Sequence, residues 1–160
     1  MKKVFLTIAT AALFSVTVFA ADGGKKGNGN TATASYSVQQ AFNADFADAK
    51  NVVWTVTKNC QKAEFIEDGA RKTAFYNLAG DFLGLTQVIG YNAIPAKSQK
   101  LIADKYKGYT PDHVIVYQAN ESINNTIDAT SYFVDLRNAE HEALVRVTSS
   151  GDLEFFKQVK

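Results

Sequence analysis

The feature that most constrains this chain is a hairpin sequence that occurs twice. A β-rich run ends at Asn77, a Gly-Asp pair follows at Gly80, and a second β-rich run begins; the same order returns at Thr148 and Gly151. Glycine reaches positive φ without a steric penalty, so a Gly-containing connection between two β-rich runs predicts a tight antiparallel turn. Two such hairpins in one chain indicate a duplicated structural unit.

Eight runs rich in β-branched and aromatic residues predict strands. The predicted strands are 52–57, 62–67, 72–76, 82–89, 113–119, 130–136, 142–148 and 153–159. Two further segments have helical spacing: 37–49, which opens with the capping-box pattern of Ser37 and Gln40, and 95–106, where Pro95 suits a first helical turn.

This order predicts an α+β fold made of two tandem helix-plus-four-strand antiparallel units. The units cover 37–90 and 94–160, and both helices are expected on one face of the sheet. The two units differ most at 120–129, which is the longest predicted loop of the folded part. Binding residues are often found on such loops.

The first residues have the composition of an export signal. Residues 1–3 are basic, 4–20 are apolar and uncharged, and Val18 and Ala20 place short side chains at the −3 and −1 positions. We therefore expect 1–20 to be a signal peptide cleaved after Ala20 or Ala21, with an uncleaved membrane anchor as the alternative. Residues 21–36 are polar and Gly-rich, which predicts a flexible linker. The mature protein is expected in the periplasm or outside the cell, with no membrane contact.

The charge balance gives no electrostatic basis for binding nucleic acid. The chain has 17 Lys and Arg against 16 Asp and Glu, and two of the lysines, Lys2 and Lys3, lie in the predicted signal. Cys60 is the only cysteine, so no intramolecular disulfide can form. We expect Cys60 to be a small buried residue of a strand, with an intermolecular disulfide as the alternative.

Side chains for catalysis or metal binding do not cluster in the sequence. The two histidines, His113 and His141, lack metal-ligand spacing, and no serine lies in a Gly-x-Ser-x-Gly turn. The carboxylates fall in or beside predicted turns, where solvated charge is expected. The sequence therefore predicts a protein without catalytic residues, metal site or cofactor.

An antiparallel sheet with helices on one face leaves the other face in water. Alternation, with the two copies aligned, assigns a first set of residues to the helix-covered side: Trp54, Val56, Phe65, Tyr76, Ile115, Tyr117, Val134 and Val147. A second set is assigned to the side in water: Val53, Thr55, Glu64, Phe75, Val114, Val116, Gln118, Phe133 and Arg146. This second set mixes aromatic, β-branched and charged residues, as protein-binding surfaces do, although ordinary β-propensity on a wet face gives a similar mixture. The predicted partner-binding residues are Glu64, Phe75, Val116, Gln118, Phe133 and Arg146.

Several segments, taken in order, resemble a known family. They are Val53-Trp54, Ala63-Glu64-Phe65, Asp68-Gly69, the run from Ala74 to Gly80, and the segment from Ile94-Pro95 to Tyr106-Lys107-Gly108-Tyr109. Together they resemble the β-lactamase-inhibitor-like, PepSY-like exported proteins of Gram-negative bacteria. The resemblance covers about residues 37–160.

The resemblance implies a shape similar to that of the β-lactamase inhibitory protein and no catalytic residues. PepSY domains are proposed to restrain peptidases by protein contact. The expected function is therefore a secreted or periplasmic, non-enzymatic protein-binding module, with inhibitor-like action toward a peptidase or other hydrolase as one form. The alternative is a small-ligand or envelope-stress binding protein that uses the uncovered sheet face.

Overall fold

The computed structural model describes residues 33–123 and 128–159, which form two α-helices and one sheet of eight strands. The helices are α1 (Tyr36–Asp45) and α2 (Ala96–Lys105), and a 3₁₀ turn at Tyr91–Ala93 precedes α2. The strands are β1 (Lys50–Val56), β2 (Gln61–Glu67), β3 (Ala70–Tyr76), β4 (Phe82–Ile89), β5 (Thr110–Ala119), β6 (Thr130–Arg137), β7 (Glu142–Val147) and β8 (Leu153–Gln158). The predicted α+β class is confirmed.

The predicted signal peptide, 1–20, lies outside the described residues, as does most of the predicted linker. Within the described ranges, neither helix is both long and apolar enough to span a bilayer.

Each strand pairs in antiparallel fashion with the strand that follows it in sequence, so the sheet runs in order from β1 to β8. Antiparallel neighbours need only short connections. Turns make most of these connections, whereas α2 lies between β4 and β5. Residues 120–129, predicted as a loop, connect β5 to β6, and 124–127 of that segment lie outside the described residues. All eight predicted strands are present, and β1, β3 and β5 begin a few residues earlier than predicted.

Aromatic rings fill the core under α1. Val38 and Phe42 are the buried residues of this helix. The Phe42 ring lies edge-on to Phe65 and to Trp54, with centroids 5.0 and 5.2 Å apart. Edge-to-face ring pairs at this spacing contribute interaction free energy in addition to that of burying apolar area. They therefore favour one packing position of α1 on β1 and β2.

Aliphatic residues fill the core under α2. Ile102 packs with Val134 of β6 and with Val145 and Val147 of β7, and all four are almost fully buried. The α1 and α2 cores contact the same strand, since Leu85 belongs to the first and Ile89 of β4 to the second.

Both helices lie on one face of the sheet. β4 pairs without interruption with β5 over Gly84–Ile89, and side chains four residues apart in such a strand point to the same side. Leu85 and Ile89 are four apart, so α1 and α2 cover the same side, which we call the helix face.

The two helices are anchored by matching hydrogen bonds. The Gln39 side chain of α1 donates to the Ala34 carbonyl at 2.6 Å, and the Gln99 side chain of α2 donates to the Ile94 carbonyl at 3.0 Å. In each case an amide side chain in the second turn of the helix satisfies a carbonyl just before it.

The two Gly-Asp turns also match. The Asn77 N–H donates to the Asp81 carbonyl and the Thr148 N–H to the Asp152 carbonyl, both at 3.0 Å. Gly80 and Gly151 have φ of 106° and 82°, which is the left-handed backbone expected of them.

Helix α1 is shorter than the predicted 37–49. It starts at Tyr36 and ends at Asp45, and the Ser35 that precedes it makes no side-chain cap hydrogen bond. The predicted capping role of Ser37 is therefore wrong, because Ser37 lies inside the helix. Asp45 and Asp48 place negative charge at the C-terminal end, where the helix dipole is also negative, which disfavours extension to residue 49.

Described residues before the predicted boundary at 37 pack into the fold. Ala34 is buried in the α1 core, and the Ser35 N–H donates to Gln61 Oε1 at 2.7 Å. The last residues of the predicted linker are thus part of the fold. Cys60 lies half-buried in the turn between β1 and β2, close to Thr57, rather than buried in a strand as predicted.

Replacing Ser98 by alanine is expected to destabilise the fold by about 1–3 kcal/mol. Ser98 is fully buried, and its hydroxyl donates at 2.9 Å to the carbonyl of Gly151, which loses its α2 partner in Ser98→Ala. Urea unfolding followed by circular dichroism measures the change.

The matched control is Ser37→Ala, since Ser37 is an exposed serine of α1. Its free energy of unfolding should stay within about 0.5 kcal/mol of wild type. Equal losses in the two variants would contradict a specific role for the Ser98 hydrogen bond.

Candidate functional site

The side of the sheet turned away from α1 and α2 is the candidate binding surface, and we call it the open face. In the first half of the sheet it carries Val53, Lys62, Glu64, Ile66, Phe75 and Val88. In the second half it carries Ile115, Tyr117, Ser131, Phe133, Asp135, Leu144 and Arg146.

The strand register places four of the six predicted partner-binding residues on the open face. The four are Glu64, Phe75, Phe133 and Arg146. The other two, Val116 and Gln118, lie on the helix face, so the prediction that they share a surface with the first four was wrong.

The error arose in β5, which is apolar at four successive positions and so has no readable alternation. Pairing fixes the side of the sheet to which each β5 residue points, because Val114 lies opposite the core residue Val134 and is itself buried in the α2 core. The predicted outward position of Val114 was therefore wrong. Ile115 and Tyr117, predicted on the helix face, lie on the open face, since a one-residue slip reverses every side chain of a strand.

Exposed apolar side chains gather in the first half of the open face. Val53, Ile66 and Val88 are 38, 37 and 48% exposed. Arg71 lies directly opposite Ile66 in the β2–β3 pairing. This half therefore offers apolar contact area next to charge.

The second half of the open face is more closely packed. Phe133, Ile115 and Leu144 are each less than a tenth exposed, and the Phe133 ring contacts that of Phe156 at a centroid distance of 5.2 Å. Phe133 therefore supports the surface more than it presents area to a partner.

Arg146 is held across the second half by three side chains. Its guanidinium contacts Asp128 at 2.9 Å and Glu154 at 3.1 Å, and donates to the Ser131 hydroxyl at 3.0 and 3.2 Å. Arg146 retains about a quarter of its exposure. Its orientation is fixed before any partner arrives, which lowers the entropy cost of binding through it.

Lys62 and Glu64 form a second fixed pair in the first half. Lys62 Nζ lies 2.6 Å from Glu64 Oε1, and their side chains are only 8 and 21% exposed. A buried ammonium is stable only when a nearby carboxylate and hydrogen bonds offset its lost hydration.

Tyr117 packs across β4 at the middle of the sheet. Its hydroxyl donates to the Leu83 carbonyl at 3.2 Å, and burial raises the pKa of Tyr117. A Cβ at Gly84 would lie 2.8 Å from the Tyr117 ring, so only glycine leaves room for it. Gly84 thus lets an aromatic ring lie flat against the open face.

Sequence reasoning missed Ile66, Val88 and Tyr117 as members of this face. Ile66 and Val88 were readable, because each alternates with a core residue in its strand. The side of Tyr117 could not be read from the sequence, because it depends on how β5 pairs with β4 and β6.

Comparison with known proteins gives matches by structure alone. No protein family and no curated protein matches the sequence. A BLIP-like protein from Bacteroides fragilis matches with a TM-score of 0.65 at 16% identity, over 79% of this chain and 87% of that one. The chain has the BLIP-like fold.

Two other structures share this BLIP-like fold. A DUF2874 family protein from Bacteroides uniformis matches with a TM-score of 0.70 at 16% identity, over 79% of this chain and 91% of that one. A protein from Bacteroides eggerthii, named as a candidate periplasmic protein, matches with a TM-score of 0.71 at 14% identity, over 79% and 90%. The β-lactamase-inhibitor-like part of the predicted resemblance is confirmed for the fold, and the PepSY-like part stays a prediction.

Replacing Glu64 by glutamine is expected to cost the BLIP-like domain about 1–3 kcal/mol, because Glu64→Gln leaves the buried Lys62 ammonium without its counter-charge. Chemical denaturation measures the loss. The double variant Lys62→Met with Glu64→Gln should recover much of it, since an apolar side chain carries no charge to hydrate.

The control is Glu121→Gln, at an exposed residue beyond β5, which should change stability by less than about 0.5 kcal/mol. A double variant that is no more stable than Glu64→Gln alone would show that the Lys62 charge is not the source of the loss.

Proposed function

We propose that this chain is a non-enzymatic protein-binding module of the periplasm or the extracellular space, and that its open face contacts the partner. The observation that carries the proposal is the combination of exposed apolar side chains and fixed charges on a sheet face that neither helix covers. Protein interfaces combine an apolar centre with a polar rim, and most of their binding energy comes from a few well-placed residues.

The exposed apolar patch of Val53, Ile66 and Val88 is the proposed centre. These residues lie on β1, β2 and β4 of the same face, and β3, which carries Arg71 opposite Ile66, lies between β2 and β4. Glu64 and Arg146 supply charge already held in place, which favours specific orientation of the partner. Phe75 lies on β3 of the same face, between β2 and β4, and adds aromatic contact area.

Inhibitor-like action toward a peptidase or other hydrolase is the form of binding that we favour. The BLIP-like fold and the family resemblance support it. The solved structures named above carry fold, family or location names, and none of those names describes a reaction. Phe133 is assigned a supporting role within the same surface.

We also propose that the protein is exported and that its domain consists of two duplicated units. The basic and apolar start of the chain supports a cleaved signal peptide and a periplasmic or secreted location. The matching helix anchors and Gly-Asp turns support two tandem helix-plus-four-strand units, each of which buries one helix on one half of the sheet.

The test is capture of proteins from the organism's own periplasmic and secreted fractions on the immobilised wild-type protein, followed by identification of any stoichiometric partner and measurement of its affinity with both proteins purified. Val88→Asp, which places charge at the most exposed residue of the apolar patch, should weaken binding by about ten-fold or more, equivalent to about 1.4 kcal/mol. Arg146→Ala should weaken it as well. If the partner is a hydrolase, its activity should fall on titration with wild-type protein and not with Val88→Asp.

Two controls separate the open face from the rest of the surface. Leu78→Asp adds the same charge at an exposed apolar residue in the β3–β4 turn, and Gln118→Ala alters the helix face. Both should bind as wild type does. Binding that is lost in Gln118→Ala and kept in Val88→Asp would move the site to the helix face, and stabilisation by a small molecule without any protein partner would favour the ligand-binding alternative.

A further inference from the structure

Asp112, His113 and Asp135 are brought together by a β-bulge at the start of β5. Pro111 pairs with Leu136 and Val114 pairs with Val134, so the two residues Asp112 and His113 lie opposite the single residue Asp135. A bulge re-aims side chains that regular pairing would send to opposite faces. One ligand atom from each of the three residues lies within 4.8 Å of the others.

Asp135 is the buried member of this group. It is 1% exposed, and its Oδ1 has no hydrogen-bond partner among the described residues. Burial raises the pKa of Asp135, while the hydrogen bond from Arg137 opposes that rise. A buried carboxylate oxygen without a donor is costly, and a cation beside it would remove the cost.

Arg137 already holds a positive charge at this place. Its guanidinium contacts Asp135 Oδ2 at 2.9 Å, Asp112 Oδ2 at 2.8 Å and Glu142 Oε1 at 3.3 Å. Three carboxylates that share one guanidinium define a position where a cation is stabilised. The Arg137 side chain is about half exposed, so it can move into solvent when another cation takes the carboxylates.

The donor chemistry selects the kind of cation. One imidazole and two carboxylates suit a divalent transition metal such as Zn²⁺ or Mn²⁺, whereas Ca²⁺ and Mg²⁺ prefer oxygen alone. Asp112 Oδ2 and His113 Nδ1 are 2.9 Å apart on exposed side chains, so an ion that displaced Arg137 from Asp112 could be reached by both. Three protein ligands would leave a further coordination position for water.

We propose that Asp112, His113 and Asp135 form a binding site for a divalent transition metal of the Zn²⁺ type, in competition with Arg137. The site lies at one end of the second half of the open face, apart from the exposed apolar patch, and does not depend on the proposed partner-binding function. It revises the expectation from sequence that His113 takes no part in metal binding.

Isothermal titration of untagged, chelator-treated protein with ZnCl₂ tests the site. Wild type should bind one Zn²⁺, and His113→Ala should weaken that binding by more than about ten-fold, since even groups that only orient a ligand have effects of that size. Arg137→Gln should bind Zn²⁺ more tightly than wild type, because it removes the competing charge. A purely structural role for Arg137 would not produce tighter binding.

His141→Ala is the matched control, because His141 is the other histidine of the chain and is exposed in the turn between β6 and β7. It should leave the affinity unchanged. Titration with CoCl₂ gives a second readout, since visible absorption bands should appear with wild type and be lost in His113→Ala. No Zn²⁺ binding at millimolar concentration, or equal binding by wild type and His113→Ala, would overturn the proposal.

Discussion

The continuous antiparallel ladder of eight strands is the constraint on which the rest of the structure depends. Each strand finds its partners in its sequence neighbours, so the backbone hydrogen bonds of the sheet need only short connections. Such a sheet must bury one face to be stable, and α1 and α2 cover the helix face with one aromatic and one aliphatic core. The other side of the sheet stays uncovered as the open face, because both helices pack on the helix face.

Register shifts interrupt four of the strand pairs, and the shift in β5 brings polar side chains together. The register shifts between Lys50 and Val53 in β1 and between Pro111 and Val114 in β5, and further shifts occur in the β3–β4 and β7–β8 pairs. At β5 the extra residue turns Asp112 and His113 toward one carboxylate. Bulges also increase twist, which limits edge-to-edge association of the sheet.

Charge on the open face is arranged in fixed groups. Lys62 with Glu64, and Arg146 with its three partners, hold their side chains by short contacts within the face itself. Partly buried charged groups lose hydration free energy. Their mutual attraction and hydrogen bonds offset that loss only when the geometry is good. Of the two groups, only the Lys62–Glu64 pair lies beside an exposed apolar residue, since Glu64 pairs with Val53, and this combination supports the proposed binding role of the open face.

The sequence by itself determined the strands, both helices to within a few residues and the turns at Gly80 and Gly151, because these follow from local β-propensity, helical spacing and glycine conformation. It also placed Glu64 and Arg146 on one face, since their strands alternate clearly. Only the tertiary structure decided the side of Val116 and Gln118, because an unbroken apolar strand has no phase until it is paired. The meeting of His113 with Asp135 was likewise invisible in sequence, since it depends on a bulge that exists only when β5 lies against β6.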